Sequence, residues 1–317
     1  MKILESGKLM SNNLAPIALF VYNRPEHTRS TVEALSRNML ADESELFVFS
    51  DGAKNNGDEK NVAEVRKYIQ GIKGFRKFYI TNSEKNLGLA NSIISGVTSV
   101  INKYGKIIVL EDDLISSRDC LTYFNQALSF YKSIDKVYSV AGYSPPVKIR
   151  QDYGYDTYLI PTRSASWGWA TWKEVWDKVD WEMRDYKTFN NYIYAQKKFN
   201  YMGNDMTGML RAQMQGKINS WSIRFDYHHF KNEAFCAYPV QSRIMNIGMD
   251  ATGTHSAITN YFNVSLSEEN KTEYKFGVEQ DPEIMEESRK FYNRNLSLTN
   301  KIKAKVKIIK HSMTKGQ

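Results

Sequence analysis

Three consecutive acids, Glu111-Asp112-Asp113, follow directly on the aliphatic run Ile107-Ile108-Val109-Leu110, with Leu114 behind them. Carboxylates packed this closely repel one another, so the cluster calls for a cation. Hard oxygen ligands in small number suit Mg²⁺ or Mn²⁺, which keep some waters and take remaining ligands from substrate phosphates. A solvated acidic turn is the competing explanation of a bare Glu-Asp-Asp, and the aliphatic residues on both sides argue against free solvation. Two earlier apolar runs also end in polar groups: Asn23 and Arg24 follow the first, Asp51 the second. A guanidinium offers a planar donor fork to phosphate or base oxygens, and a carboxylate can accept from an imide N–H. Either residue alone is as well explained by a surface salt bridge or a turn cap. Their placement at successive strand ends favours ligand binding, because open α/β sheets bind ligands at the carboxyl ends of their strands.

The elements that must carry these groups follow from the apolar pattern. Ile107 to Leu110 is short, continuous and rich in branched side chains, as expected of a strand covered on both faces of a parallel sheet. Pro16 to Tyr22, Leu46 to Phe49, Phe75 to Ile80 and Val137 to Ala141 read as further strands. Between them, Val32, Leu35 and Met39, then Val62, Val65, Tyr68 and Ile69, then Ile93 to Ile101, then Leu121 to Tyr131 recur at helical spacing. Pro25 suits the first turn of the first helix, where a missing N–H costs nothing. Strands alternating with helices predict parallel βαβ units with right-handed crossovers. Beyond Gly142 the composition shifts to Tyr, Pro and Gly, and all six tryptophans fall between Trp167 and Trp221. The expected division is a first half over 15–142, a second half over 143–265, and a polar segment over 266–317.

The chain has 317 residues, 42% of them hydrophobic, which allows one large domain or two joined ones. No stretch approaches the ~20 apolar residues of a membrane span, and the N-terminus lacks a secretory pattern. Cys120 and Cys236 form neither a disulfide framework nor a zinc pattern, so a cytoplasmic setting is expected. The net charge of +8 is concentrated at one end, since no acid follows Glu287. The body is close to neutral, which argues against nucleic acid as a partner. In the tail, Ile302, Val306 and Ile309 fall on one helical face among lysines, the pattern of an interfacial helix drawn to anionic lipid. Peripheral attachment to the inner face of the plasma membrane is the corresponding expectation, with a frayed, solvated terminus as the alternative.

Several segments together carry a resemblance to a known family: Val21-Tyr-Asn-Arg24, Phe49-Ser-Asp51, Leu110-Glu-Asp-Asp-Leu114 and Ser166-Trp-Gly-Trp-Ala-Thr-Trp172. Cys236-Ala-Tyr-Pro-Val-Gln-Ser-Arg243, Asn246-Ile-Gly248 and Gly253-Thr-His255 extend it, so that it covers about residues 16 to 256. The pattern resembles the GT-A-fold glycosyltransferases, in particular the N-acetylglucosaminyltransferase I group and its bacterial relatives. The resemblance implies a Rossmann-like, mostly parallel sheet with helices on both faces, an acceptor-side α+β region, and an inverting transfer from a UDP-linked sugar to a glycan or lipid-linked glycan. It implies further that Asp113 binds Mn²⁺ or Mg²⁺ directly, that Glu111 and Asp112 orient the ribose and base, and that Arg24 and Asp51 contact the nucleotide.

An inverting transfer needs a general base opposite the leaving group. Asp226 lies 13 residues before Pro239, close to the family's spacing, and is favoured over Asp205, which an N-cap role explains as well. His255 follows glycine and is a candidate for the metal or diphosphate. His228 and His229 are read as structural or surface residues. Trp167 and Trp169 are candidates for stacking on an acceptor sugar. Asn86, Gly88 and Asn91 open a helix whose first amides favour an anion. A carbohydrate- or nucleic-acid-binding protein would use the tryptophans and the tail but leave the acids without a purpose. A sugar nucleotidylyltransferase would bring glycines after the first strand, where Asn23-Arg24-Pro25 stands.

Overall fold

The computed structural model describes residues 14–249 and 261–294. Its first half alternates as the pattern requires: β1 (Ile17–Val21), α1 (Pro25–Ser36), β2 (Glu45–Ser50), α2 (Asn56–Ile69), β3 (Lys77–Asn82), α3 (Leu89–Tyr104) and β4 (Lys106–Glu111). β5 (Leu114–Ser116), α4 (Cys120–Tyr131) and β6 (Val137–Ala141) follow. The second half adds β7 (Thr157–Pro161), β8 (Trp169–Trp172), α5 (Lys173–Trp176), α6 (Tyr186–Asn191), α7 (Ile193–Phe199), α8 (Met206–Met214) and α9 (Trp221–Lys231). The chain then forms β9 (Phe235–Pro239), β10 (Ile244–Asn246) and α10 (Pro282–Arg294).

One eight-stranded sheet, in the order β3-β2-β1-β4-β8-β6-β9-β7, takes strands from both halves. β1 to β4 are mutually parallel, β8 runs against both β4 and β6, β9 is parallel to β6, and β7 closes the far edge antiparallel. The mostly parallel sheet with flanking helices is the α/β arrangement expected from the sequence. Stepping from β1 to β2 to β3 moves one way across the sheet, and β3 to β4 moves back. With right-handed crossovers this places α1 and α2 on one face and α3 on the other.

β4 is the strand between the two halves. Ile107 to Leu110 are at most 1% exposed, because β1 and β8 flank the strand and helices cover both faces. A continuous apolar run is what such a position demands. Hydrophobic packing ends at Glu111, and the chain turns through Asp112 and Asp113 into β5. β5 pairs antiparallel with β10 away from the main sheet, with Leu114 opposite Asn246. That small ribbon brings residues 246–248 to the acids.

α10 has no counterpart in the expectations, which treat everything after Ser265 as polar. Its stripe is narrow: Ile284, Ser288 and Phe291 are buried at helical spacing while the remaining faces are charged or polar. The segment before it is held without regular structure. Arg243 forms a buried ion pair with Asp119 at 3.1 Å, and the Tyr274 hydroxyl donates to Asp119 Oδ2 at 2.7 Å. Tyr131 Oη donates to the Gly277 carbonyl at 2.6 Å. No helix among the described residues is long and apolar enough to cross a membrane. His255 and the basic segment 301–310 lie outside the described residues.

Candidate active site at the strand rim

Glu111, Asp112 and Asp113 leave β4 at the carboxyl end of the parallel strands, beside the end of β1, and there they meet Arg24. Arg24 Nη2 donates to Asp112 Oδ1 and, at 3.0 Å, to Asp113 Oδ2. Asp112 is further committed: its Oδ2 accepts from the Tyr22 amide at 3.3 Å. Its carbonyl accepts from the Thr31 hydroxyl at 2.8 Å, and the same Thr31 oxygen accepts from the Leu114 amide at 3.1 Å. Asp112 therefore ties the ends of β1 and β4 together. Burial raises its pKa despite the adjacent guanidinium.

The other two acids are less spent. Among the described residues Glu111 makes no side-chain hydrogen bond, and Asp113 Oδ1 has no partner. Glu111 is pushed well above the ordinary carboxylate range, first by burial and then by the charges of Asp113 and Asp112. Three carboxylates thus face one guanidinium, a balance that a divalent cation would redress. Among the described residues no three metal-ligating side chains enclose a metal position. The Glu111 carboxylate and Asp113 Oδ1 nevertheless fit an ion of the Mg²⁺ or Mn²⁺ type, which is held by one or two carboxylates plus substrate phosphates.

Gly248 closes this site from the β10 side. The Ile247 amide donates to the Asp113 carbonyl at 2.9 Å, which draws the following glycine onto the acids. A Cβ at position 248 would overlap Asp113 Oδ2 and stand 2.8 Å from Arg24 Nη1 and 2.9 Å from Asp113 Cγ. Only a residue without a side chain fits so close an approach.

The second cluster of predicted residues is built around loops rather than around open space. Asp51 Oδ1 accepts from the amides of Gly52 and Leu87, at 2.9 and 2.8 Å, and Oδ2 from the Gly88 amide at 2.9 Å. Gly88 permits this with a φ of 75°. Asn86 Nδ2 donates to the Gly52 carbonyl at 2.8 Å, so Asp51 and Asn86 clamp the loops after β2 and β3 together. Asn23 Nδ2 donates to Asp58 Oδ1 at 2.7 Å, and Tyr22 Oη to Asp58 Oδ2 at 3.0 Å. Asp51 Oδ2 keeps one lone pair for a ligand donor. Asn91 Nδ2 donates to the Leu87 carbonyl at 2.9 Å.

On the acceptor side, Asp226 sits in α9, 7% exposed. Its Oδ1 accepts from the Ser164 amide at 2.6 Å and the Ser164 hydroxyl at 2.7 Å. Its Oδ2 has no partner among the described residues. Burial pushes its pKa up to about 6, against the lowering effect of Arg163 and Ser164. From Ser164 the chain runs through Trp167 to Gly168, where a Cβ would meet Ile244 and Leu110, so the same segment touches Asp226 and the end of β4. Asp205 occupies the N-cap position of α8 without capping it; its Oδ1 instead accepts from Arg163 Nη2 at 2.5 Å.

The two tryptophans separate. Trp167 is half-buried between Tyr143 and Phe262, with ring centroids at 4.8 and 5.4 Å. Trp169 is 1% exposed and stacks on Trp221 and Trp176, so the expectation that it meets an acceptor sugar is corrected: its faces are already covered. His228 and His229 are also interior, their pKa values lowered by burial to about 4 and about 3. Thr31, Tyr22, Ser164 and Arg163 were not singled out in the sequence; their only signal is contact with a predicted acid, which exists only in the fold.

Neither a family model nor a curated protein matches this chain. Among solved structures it is similar to TarS from S. aureus, at 9% identity over 72% of this chain and 36% of that one, with a TM-score of 0.44. TarS 1-349 in complex with UDP-GlcNAc gives 8% identity over 72% and 57%, with a TM-score of 0.38. The mannosyltransferase PcManGT from Pyrobaculum calidifontis, in complex with GDP-Man and Mn²⁺, gives 11% over 54% and 48%, with a TM-score of 0.36. The chain spans less than two thirds of the length of each.

Proposed function

We propose that this protein is a metal-dependent, inverting glycosyltransferase that moves a sugar from a nucleotide-sugar, UDP-linked, to a glycan or lipid-linked glycan acceptor in bacterial surface glycan synthesis. The carrying observation is the imbalance at the strand rim: three carboxylates beside one guanidinium, two of them with oxygens unspent. In this reading Asp113 and Glu111 would hold the cation, and Asp112 holds Arg24 in place. A bound divalent cation supplies Lewis-acid neutralisation of the departing diphosphate.

The chain's own residues supply the rest. Arg24 keeps a guanidinium edge beside the phosphate position, and the clamp of Asp51 and Asn86 shapes the nucleotide side, with Asn23 fixed next to it by Asp58. With a donor half over 15–142 and an acceptor half over 143–265, Trp167, packed against Tyr143 and Phe262 of the latter, is the candidate for stacking on an acceptor sugar. Asp226 accepts the acceptor hydroxyl proton at Oδ2; a pKa near 6 leaves it ionised at neutral pH yet basic enough to take a proton in the transition state. Asp205, paired with Arg163, is the less suited base. His255 remains a candidate metal or diphosphate ligand, and the basic tail a candidate contact with anionic lipid.

Donor hydrolysis across UDP- and GDP-sugars with Mn²⁺ tests the reading without an acceptor. Asp113→Ala should abolish Mn²⁺-dependent nucleotide binding while the melting profile persists. Retained metal-dependent binding in that variant would instead support a non-enzymatic binding protein.

A further inference from the structure

Four of the twelve exposed large hydrophobic residues among the described ones, Tyr192, Ile193, Tyr194 and Tyr201, fall between positions 192 and 201. Ile193 is 65% exposed, Tyr192 57% and Tyr194 53%. α7 explains the arrangement. Gln196 and Phe199 face the interior, which leaves Ile193, Tyr194, Lys197 and Lys198 on the opposite side at spacings that share one helical face. Lys198 Nζ lies over the Tyr194 ring, 4.9 Å from its centroid, so a positive charge rests against the exposed aromatic. From Tyr186 to Asn204 the chain contains three lysines and no acid. Exposed large apolar groups, with tyrosines and lysines among them, match a bilayer interface, where tyrosine sits at headgroup level and lysine meets anionic lipid.

A second observation bears on what this face meets. The end of α10 docks on the segment that directly follows α7: Arg289 Nε donates to the Tyr201 carbonyl at 3.2 Å, its guanidinium lies 4.7 Å from the Tyr201 ring, and the Asn204 amide donates to Asn293 Oδ1 at 2.9 Å. The chain therefore leaves the described structure at Arg294, beside the segment that follows α7. The residues that follow, 295–317, contain six lysines and no acid. An exposed apolar corner and a strongly basic extension thus start from one side of the molecule. That side also holds Arg163 and Asp205, since Arg163 lies 4.2 Å over the ring of Tyr292 in α10.

We infer that the α7 corner is a docking surface for an anionic lipid bilayer, inserting Tyr192, Ile193 and Tyr194 at headgroup level beside the acceptor side of the site. The inference extends the proposed lipid contact of the tail to a surface in the folded body. It does not depend on catalysis.

The test is co-sedimentation of the full-length protein with vesicles of phosphatidylcholine containing phosphatidylglycerol, and with phosphatidylcholine alone. The wild type should bind the anionic vesicles and release in high salt. The combined Tyr192→Ser, Ile193→Ser, Tyr194→Ser variant should bind about tenfold or more weakly, with the tail intact and the far-UV circular dichroism unchanged. Phe78→Ser with Tyr79→Ser, exposed aromatics on the edge strand β3, should bind as the wild type does. Hydrogen exchange on the wild type provides a measurement that needs no variant: vesicles should protect amides in 191–201. Equal binding by the triple variant, absence of protection there, or concentration-dependent dimerisation through Ile193 without vesicle binding would each overturn the inference. Donor hydrolysis enters none of these readouts, so they fail or succeed separately from the enzymatic reading.

Discussion

Replacing Gly248 by alanine adds one methyl group at the centre of the proposed site. The new Cβ would overlap Asp113 Oδ2 and stand 2.8 Å from Arg24 Nη1. Restoring an ordinary separation of about 3.5 Å to that nitrogen alone requires a shift of roughly 0.7 Å, and the carboxylate must move further. Because the obstructing atoms are side-chain ends rather than backbone, the stability cost belongs near the lower end of overpacking, about 1 kcal/mol. For a chain of this size that lowers Tm by only about 2–4 °C. The functional cost should be far larger, since a displacement of order 1 Å in a positioning group can reduce a rate by about 10²-fold. Donor hydrolysis and Mn²⁺ titration of nucleotide binding should therefore fall while differential scanning fluorimetry changes little. A variant that keeps hydrolysis within about twofold of wild type would refute the placement of Gly248 against a working Asp113.

Other perturbations separate the remaining roles. Asp226→Ala leaves the Ser164 amide and hydroxyl without their acceptor and should cost about 1–3 kcal/mol in urea unfolding. Because the folded pKa of Asp226 is raised to about 6, the native state holds the proton longer than the unfolded chain. Its contribution to stability is therefore greatest below about pH 4 and is lost as pH rises to about 6, by about 3 kcal/mol. Asp226→Asn should flatten that slope in urea titrations at pH 4.5 and 7; an unchanged slope excludes Asp226 as its source. If Asp226 is the base, the transfer rate of the wild type should rise with pH through about 6. Arg24→Met strips the partner from Asp112 and Asp113, and should destabilise by about 3–5 kcal/mol while increasing the thermal stabilisation given by Mn²⁺. Arg243→Met leaves Asp119 charged and buried, with a loss of similar size, about 3–5 kcal/mol, measured by chemical unfolding, and exposes the segment over α4 to proteolysis.

The first half of the molecule was legible because local chemistry and long-range packing demand the same pattern there. A parallel strand covered on both faces must be continuously apolar, so Ile107 to Leu110 announce β4, and the break at Glu111 marks the rim where ligands bind. Boundaries moved where two signals overlapped: the strand expected over Phe75–Ile80 forms as Lys77–Asn82, since an edge strand has only weak burial to set its limits. In the second half the strands β7, β8 and β9 were not separately resolved. β8 lies inside the tryptophan motif and β9 overlaps the start of the Cys236–Arg243 motif, where motif residues obscure the alternation that would reveal a strand.

What the amino-acid sequence alone determined is where the groups capable of chemistry fall: three acids after a buried strand, with an arginine and an aspartate following two others, all at one end of a sheet. Tertiary structure decided which of those acids are spent. Among the described residues Asp112 is consumed in tying β1 to β4, most of Asp51 in clamping two loops, and Trp169 in the core, while Glu111 and one oxygen each of Asp113 and Asp226 have no hydrogen-bond partner. Those outcomes hang on hydrogen bonds and stacking between residues distant in the chain, such as Tyr22 with Asp112 and Trp169 with Trp221. Residue type and spacing carry the capacity to bond, whereas only the folded arrangement of strands fixes which partner comes within reach.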